Sequence, residues 1–101
     1  MKIEKQHNVP NIDKMSEKEL YAFSQKYKNC MITYAVQLVG EKYKHKATQI
    51  SEILAGYAGC KYCLLLGGID SFTEEQNKNM KKRFEENCKY YYNRIPRDLR
   101  W

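Results

Sequence analysis

The chain has 101 residues, 43% of them apolar and 30% charged, and a net charge of +6. Such a chain builds one domain and one modest core, burying roughly 60–65% of its unfolded surface, which leaves little room for both a deep substrate cleft and a packed interior. No apolar run approaches the ~20 residues that a bilayer span needs, and no apolar stretch follows the polar start, so the expectation is a cytoplasmic protein without a secretory signal or membrane contact.

The positive excess is concentrated in residues 41–49 and in the C-terminal third. That placement favours acidic partners, either nucleic acid or an acidic protein surface. Heavy use of Lys, Asn, Ile and Tyr fits AT-rich codons, as in a phage, a plasmid or an AT-rich bacterium.

Residues 1–15, MKIEKQHNVPNIDKM, are polar and lack periodicity, and Pro10 opposes a helix. They read as an extended N-terminal arm. Ser16 with Glu19 has capping-box spacing and opens a helix. Leu20, Phe23, Tyr27, Cys30 or Met31, Tyr34 and Leu38 follow at steps of three and four, and Gly40 supplies the stop. This first helix would be about 23 residues and roughly 35 Å long.

Residues 41–47, EKYKHKA, form a basic connection in which Lys42, Lys44 and Lys46 alternate with Tyr43 and His45. The most continuous apolar stretch comes next, at 48–66. It reads as a central helix burying Ile50, Ile53, Leu54, Tyr57, Cys60, Leu64 and Leu65. Gly56 and Gly59 weaken a helix by about 1 kcal/mol each relative to Ala, which a close neighbour would justify, in this chain or in a second subunit. Gly67-Gly68 ends the segment.

Thr73 with Gln76, or Ser71 with Glu74, caps a third helix running to about Asn93. Its stripe is Met80, Phe84, Cys88, Tyr91 and Ile95. Pro96 prevents continuation and leaves a short tail at 96–101. Short connections make successive helices antiparallel neighbours, so the predicted architecture is all-α: a three-helix up-down-up bundle over 16–95 with an arm and a tail.

Four cysteines invite a zinc or redox reading of Cys60-Lys61-Tyr62-Cys63. Level with the bundle end shared by Thr48 and Asn93, Cys88 would sit about 10 Å or more short of that pair, at 1.5 Å per residue. Buried thiols acting as small hydrophobes fit the stripes better, and no metal or cofactor is expected. A helix-turn-helix over 47–68 would need its turn at Gly56, yet the following GCKYCLLL offers few base-reading side chains. His7 and His45 lack a partner by spacing, and no phosphate-binding or dinucleotide motif is present, so no enzymatic activity is expected.

Tyr90, Arg94, Arg97, Arg100 and Trp101 form the candidate partner-binding patch, since Tyr, Trp and Arg dominate protein–protein hot spots. The expected function is a small binding protein that docks on a larger protein or protein–nucleic-acid assembly, as an inhibitor, adaptor or accessory factor. The alternative is a DNA- or RNA-binding accessory protein that uses Lys42, Lys44, Lys46 and Lys89 on phosphates. Surface pairs such as Lys81 with Glu85 would cancel part of that field. Self-association through the face around Gly56 and Gly59 is a third possibility.

Overall fold

A computed structural model describes residues 6–101; residues 1–5 of the predicted arm lie outside the described residues. Its helices are α1 (Glu17–Lys28), α2 (Ile32–Val39), α3 (Ala47–Leu66) and α4 (Glu74–Arg94). Short 3-10 turns occupy Ile12–Lys14, Glu41–Lys46 and Arg97–Leu99, and no strand occurs among the described residues. The all-helical class holds, with four helices rather than three.

The extra helix comes from a break in the predicted first one. Asn29 and Met31 leave helical geometry, at φ −138°, ψ 47° and φ −63°, ψ 149°. Asn competes for backbone hydrogen bonds and Ile32-Thr33 are β-branched, so this is where a long helix is weakest. The break re-aims the chain. Ala35, Leu38 and Val39 of α2 become buried, while Met31 and Tyr34, expected on the buried stripe, are exposed.

Both capping boxes form. Ser16 Oγ accepts from the Glu19 N–H and Glu19 accepts from the Ser16 N–H; Thr73 and Gln76 do the same. Gly40, at φ 87°, ends α2, and a Cβ there would come within 2.0 Å of the Gln6 carbonyl oxygen. No other residue satisfies both demands.

α3 is the hub, packing against α1, α2 and α4. Its fully buried Leu54 sits at the centre of one core with Ile12, Val39, Ile50, Ile95 and Leu99. Tyr21 meets Tyr62, and Cys30 reaches Ser51, so α1 runs antiparallel to α3. The helix continues through Gly56 without a turn, which removes the helix-turn-helix reading. Leu65, expected in the core, is exposed.

The register of α4 on α3 corrects the cysteine geometry. Tyr92 lies on Tyr57, the Tyr91 ring covers Gly56, and Cys88 lies beside Cys60. The last turn of α4 therefore faces the middle of α3, and the tail, through Asp98, continues to Lys42 and Tyr43. Asn93 is therefore not level with Thr48, and Cys88 lies farther along α3 than that alignment implies. All four cysteines are free thiols.

The small-residue face is closed by a neighbour at Gly56 and lines an open groove with Ser24, Lys28 and Glu52 at Gly59. A Cβ on Gly56 would lie 2.7 Å from Tyr91 Cζ, and one on Gly59 would lie 3.8 Å from Ser24 Cβ. Gly56→Ala should therefore destabilise the protein by about 1–2 kcal/mol by displacing the ring. In a Tyr91→Ala background the same change should stabilise by ~0.5–1 kcal/mol, because only helix propensity remains. Urea unfolding of the four proteins checks this; the same sign in both backgrounds refutes it.

Candidate partner-binding surface

Three successive tyrosines near the end of α4 point in three directions, because residues advance about 100° each around a helix. Tyr91 turns onto Gly56 and Tyr92 onto Tyr57 and Trp101. Tyr90 turns outward and is 53% exposed. Arg94, one turn later, lays its guanidinium over the Tyr90 ring at 4.3 Å. Among the described residues no carboxylate pairs with Arg94 or Arg97. Tyr90 and Arg94 form an accessible aromatic–cationic pair at the helix end, and Arg97 is exposed in the tail just beyond it.

Arg100 and Trp101, placed by sequence in the same patch, have internal partners. Arg100 donates to the Ile95 and Asn93 carbonyls at 3.0 and 3.2 Å, covering backbone groups that the end of α4 leaves open. Trp101 packs tilted against Tyr57 and edge-on against Tyr92, and its Nε1–H donates to Asp13 at 2.8 Å. Ile95 and Leu99 are buried, so the tail is packed against the body.

Asp13 is the centre of this closure. The Tyr57 hydroxyl donates to one of its carboxylate oxygens at 2.6 Å, and the Lys61 ammonium lies 3.3 Å from the same atom. Burial opposes ionisation of Asp13, but the bonds from Trp101 and Tyr57 and the charge of Lys61 outweigh it, holding its carboxyl below the ordinary 3.8. Burial and the bond to Asp13 push the Tyr57 phenol far up, so it acts as a donor. Sequence reasoning missed this cluster because Asp13 lies in an aperiodic segment.

Beside it runs a groove lined by Asp13, Tyr57, Lys61, Cys88 and Lys89. The neighbouring Cys88 and burial push the Cys60 thiol up. Cys63 is pushed up by burial. No group of three His, Cys, Asp or Glu side chains among the described residues is arranged to hold a metal ion.

The four alternative nucleic-acid lysines do not form one surface of free charges. Lys42 is paired with Asp98, which also accepts from Tyr43 at 3.2 Å, and Lys44 lies 3.4 Å from Glu41. Lys46 is exposed in the connection, and Lys89 sits apart in the α3–α4 groove. Conversely, the ion pairs expected between Lys81 or Lys82 and Glu85 or Glu86 are not formed among the described residues. Lys78, Lys81, Lys82 and Arg83 are therefore in no ion pair among the described residues, although Glu86 lines one groove with Lys82 and Arg83.

No helix among the described residues is long and apolar enough to cross a membrane. Comparison of the chain with protein-family models, with curated proteins and with solved structures gives no match.

Proposed function

We propose that this is a small, non-enzymatic helical binding protein that docks on a larger protein or protein–nucleic-acid assembly and acts by occupancy, as an inhibitor, adaptor or accessory factor. The observation that carries the reading is the Tyr90–Arg94 pair. A half-exposed aromatic ring with a guanidinium stacked on it, on a helix fixed by Tyr91 and Tyr92, is a preorganised hot-spot element. Arg97 is a further exposed cation in the tail, while Arg100 and Trp101 hold the tail against the end of α4 and Asp13.

Tyr90→Ala with Arg94→Ala should remove at least ~2 kcal/mol of binding, a loss of about thirtyfold or more in affinity, while leaving the thermal midpoint almost unchanged. The check is affinity capture from a cell extract with both proteins, then titration of the captured partner. Undiminished affinity of the folded double variant refutes the assignment.

The unpaired cations of α4 support a second reading, nucleic-acid contact through phosphates. Binding that neutralises about six phosphates should weaken roughly a thousandfold between 50 and 200 mM salt. Fluorescence anisotropy with a random-sequence duplex reads this directly, and no binding at the lower salt removes this reading.

A further inference from the structure

Two of the four cysteines face each other across the α3–α4 contact. The Tyr91 ring covers Gly56, and the Tyr92 ring lies 5.8 Å from that of Tyr57, which fixes the antiparallel register of the two helices. Cys60 is one turn farther along α3 than Gly56, and Cys88 is one turn back along α4 from Tyr92, so that register brings them level. On the next turn Leu64 and Phe84 line one cavity, continuing the same pairing. Both cysteines are 8% exposed and belong to the core.

The spacing of packed helices suits a covalent bond at this place. Axes about 8–10 Å apart, with Cα atoms ~2.3 Å from each axis, leave facing Cα atoms roughly 4–6 Å apart. A disulfide spans Cα atoms about 4.4–6.8 Å apart. The other two cysteines are placed differently. Cys30 donates to Ser51 Oγ at 3.6 Å, on the α1 side of α3. Cys63 is three residues beyond Cys60, about 4.5 Å farther along α3 from the level of Cys88. Cys88 also lines the groove that carries Asp13, Lys61, Glu85 and Lys89, which gives water and a small polar oxidant a path to the edge of its sulfur.

We propose that Cys88 and Cys60 are a peroxide-oxidisable pair whose disulfide locks α4 onto α3. The Cys88 thiolate attacks one oxygen of hydrogen peroxide and the O–O bond breaks. Cys88 becomes a sulfenic acid, and its thiol proton leaves with the released hydroxide as a first water. The Cys60 sulfur then attacks the Cys88 sulfur. The S–S bond forms, the S–O bond breaks, and the Cys60 proton leaves with that hydroxide as a second water. Two thiols thus give two electrons to one peroxide and yield one disulfide and two waters. Among the helices α4 packs chiefly on α3, so the link secures its main attachment and restricts the unfolded chain between the two positions. The inference is independent of the Tyr90–Arg94 reading.

The test treats the folded full chain with hydrogen peroxide, blocks remaining thiols by alkylation, and maps the digest by mass spectrometry without reductant. The expected product is a single chain lighter by two hydrogen atoms, with the Cys60 peptide joined to the Cys88 peptide and released by dithiothreitol. Cys30→Ser and Cys63→Ser should still form this link, and Cys88→Ser should not. The oxidised protein should unfold at higher urea than the reduced one. The wild-type map requires no variant, so a substitution that fails to fold leaves the test intact. Absence of the link in oxidised wild type overturns the proposal, as does a link through Cys63 or between two chains. A linked protein that unfolds at the same or lower urea overturns the lock.

Discussion

A variant that begins at Ser16 should fail to fold cooperatively. Composition alone treats residues 1–15 as an extended arm, but Val9 and Ile12 belong to the core and Met15 packs against it. Ile12 is fully buried and Val9 nearly so. Removing these two side chains forfeits about 3–6 kcal/mol of burial, against a total stability of 5–15 kcal/mol for domains in general. The same segment satisfies the end of α2. The Asn8 N–H donates to the Leu38 carbonyl at 2.9 Å, and Asn8 Nδ2 donates to the Gln37 carbonyl at 2.8 Å. Those carbonyls would otherwise be open groups of a helix terminus. The expected result is loss of a sigmoidal thermal transition by circular dichroism, with much of the helical signal gone at 25 °C. A truncated protein that melts within a few degrees of the full chain would show that these contacts contribute little.

The sequence specified the helices better than their arrangement. Ser16, Gly40, Gly67 and Thr73 mark four real boundaries, because caps and left-handed glycines act through their immediate neighbours. The break at Asn29–Met31 was hidden, since the residues around it still occur at helical spacing. Only the tertiary demand that Ala35 and Val39 face α3 decides it. Register was hidden for a related reason. Helix ends do not determine where two helices meet; here Tyr91 on Gly56 and Cys88 beside Cys60 do.

The proposed partner patch was legible in part. Tyr90 and Arg94 are four apart and fall outside the Tyr91 stripe, which is visible in the letters. The internal roles of Arg100 and Trp101 were not, because they depend on Asn93 and Asp13, and Asp13 is 88 residues away from Trp101 in the chain. The exposed end of α3 was also missed: Leu64-Leu65-Leu66 reads as the end of a buried face when no neighbour is known to stop short of it.

Asp13 carries the largest effect expected of any single side chain outside the apolar core. Its carboxylate joins the N-terminal segment to α3 through Tyr57 and Lys61 and to the tail through Trp101. Hydrogen bonds to a charged group contribute about 1.5–3 kcal/mol each. Asp13 is partly exposed, with 43% of its side chain accessible, so solvent screening reduces these values, most of all for Lys61. Asp13→Ala should therefore cost about 2–4 kcal/mol, much of it from leaving the buried Tyr57 hydroxyl without an acceptor. Asp13→Asn keeps one acceptor oxygen and should cost roughly half as much, on the same scale.

The pH dependence separates the charge from the shape. The carboxyl is held below 3.8 in the folded protein, so the unfolded chain binds this proton more readily. The stabilisation is complete well above 3.8 and is lost as the pH falls from there through the lower folded value. Urea unfolding at a series of pH values should show wild type losing its advantage over Asp13→Asn across that interval. A difference between the two proteins that stays constant down to pH values well below 3.8 would mean that the carboxylate charge is not what ties the two ends of the chain to α3.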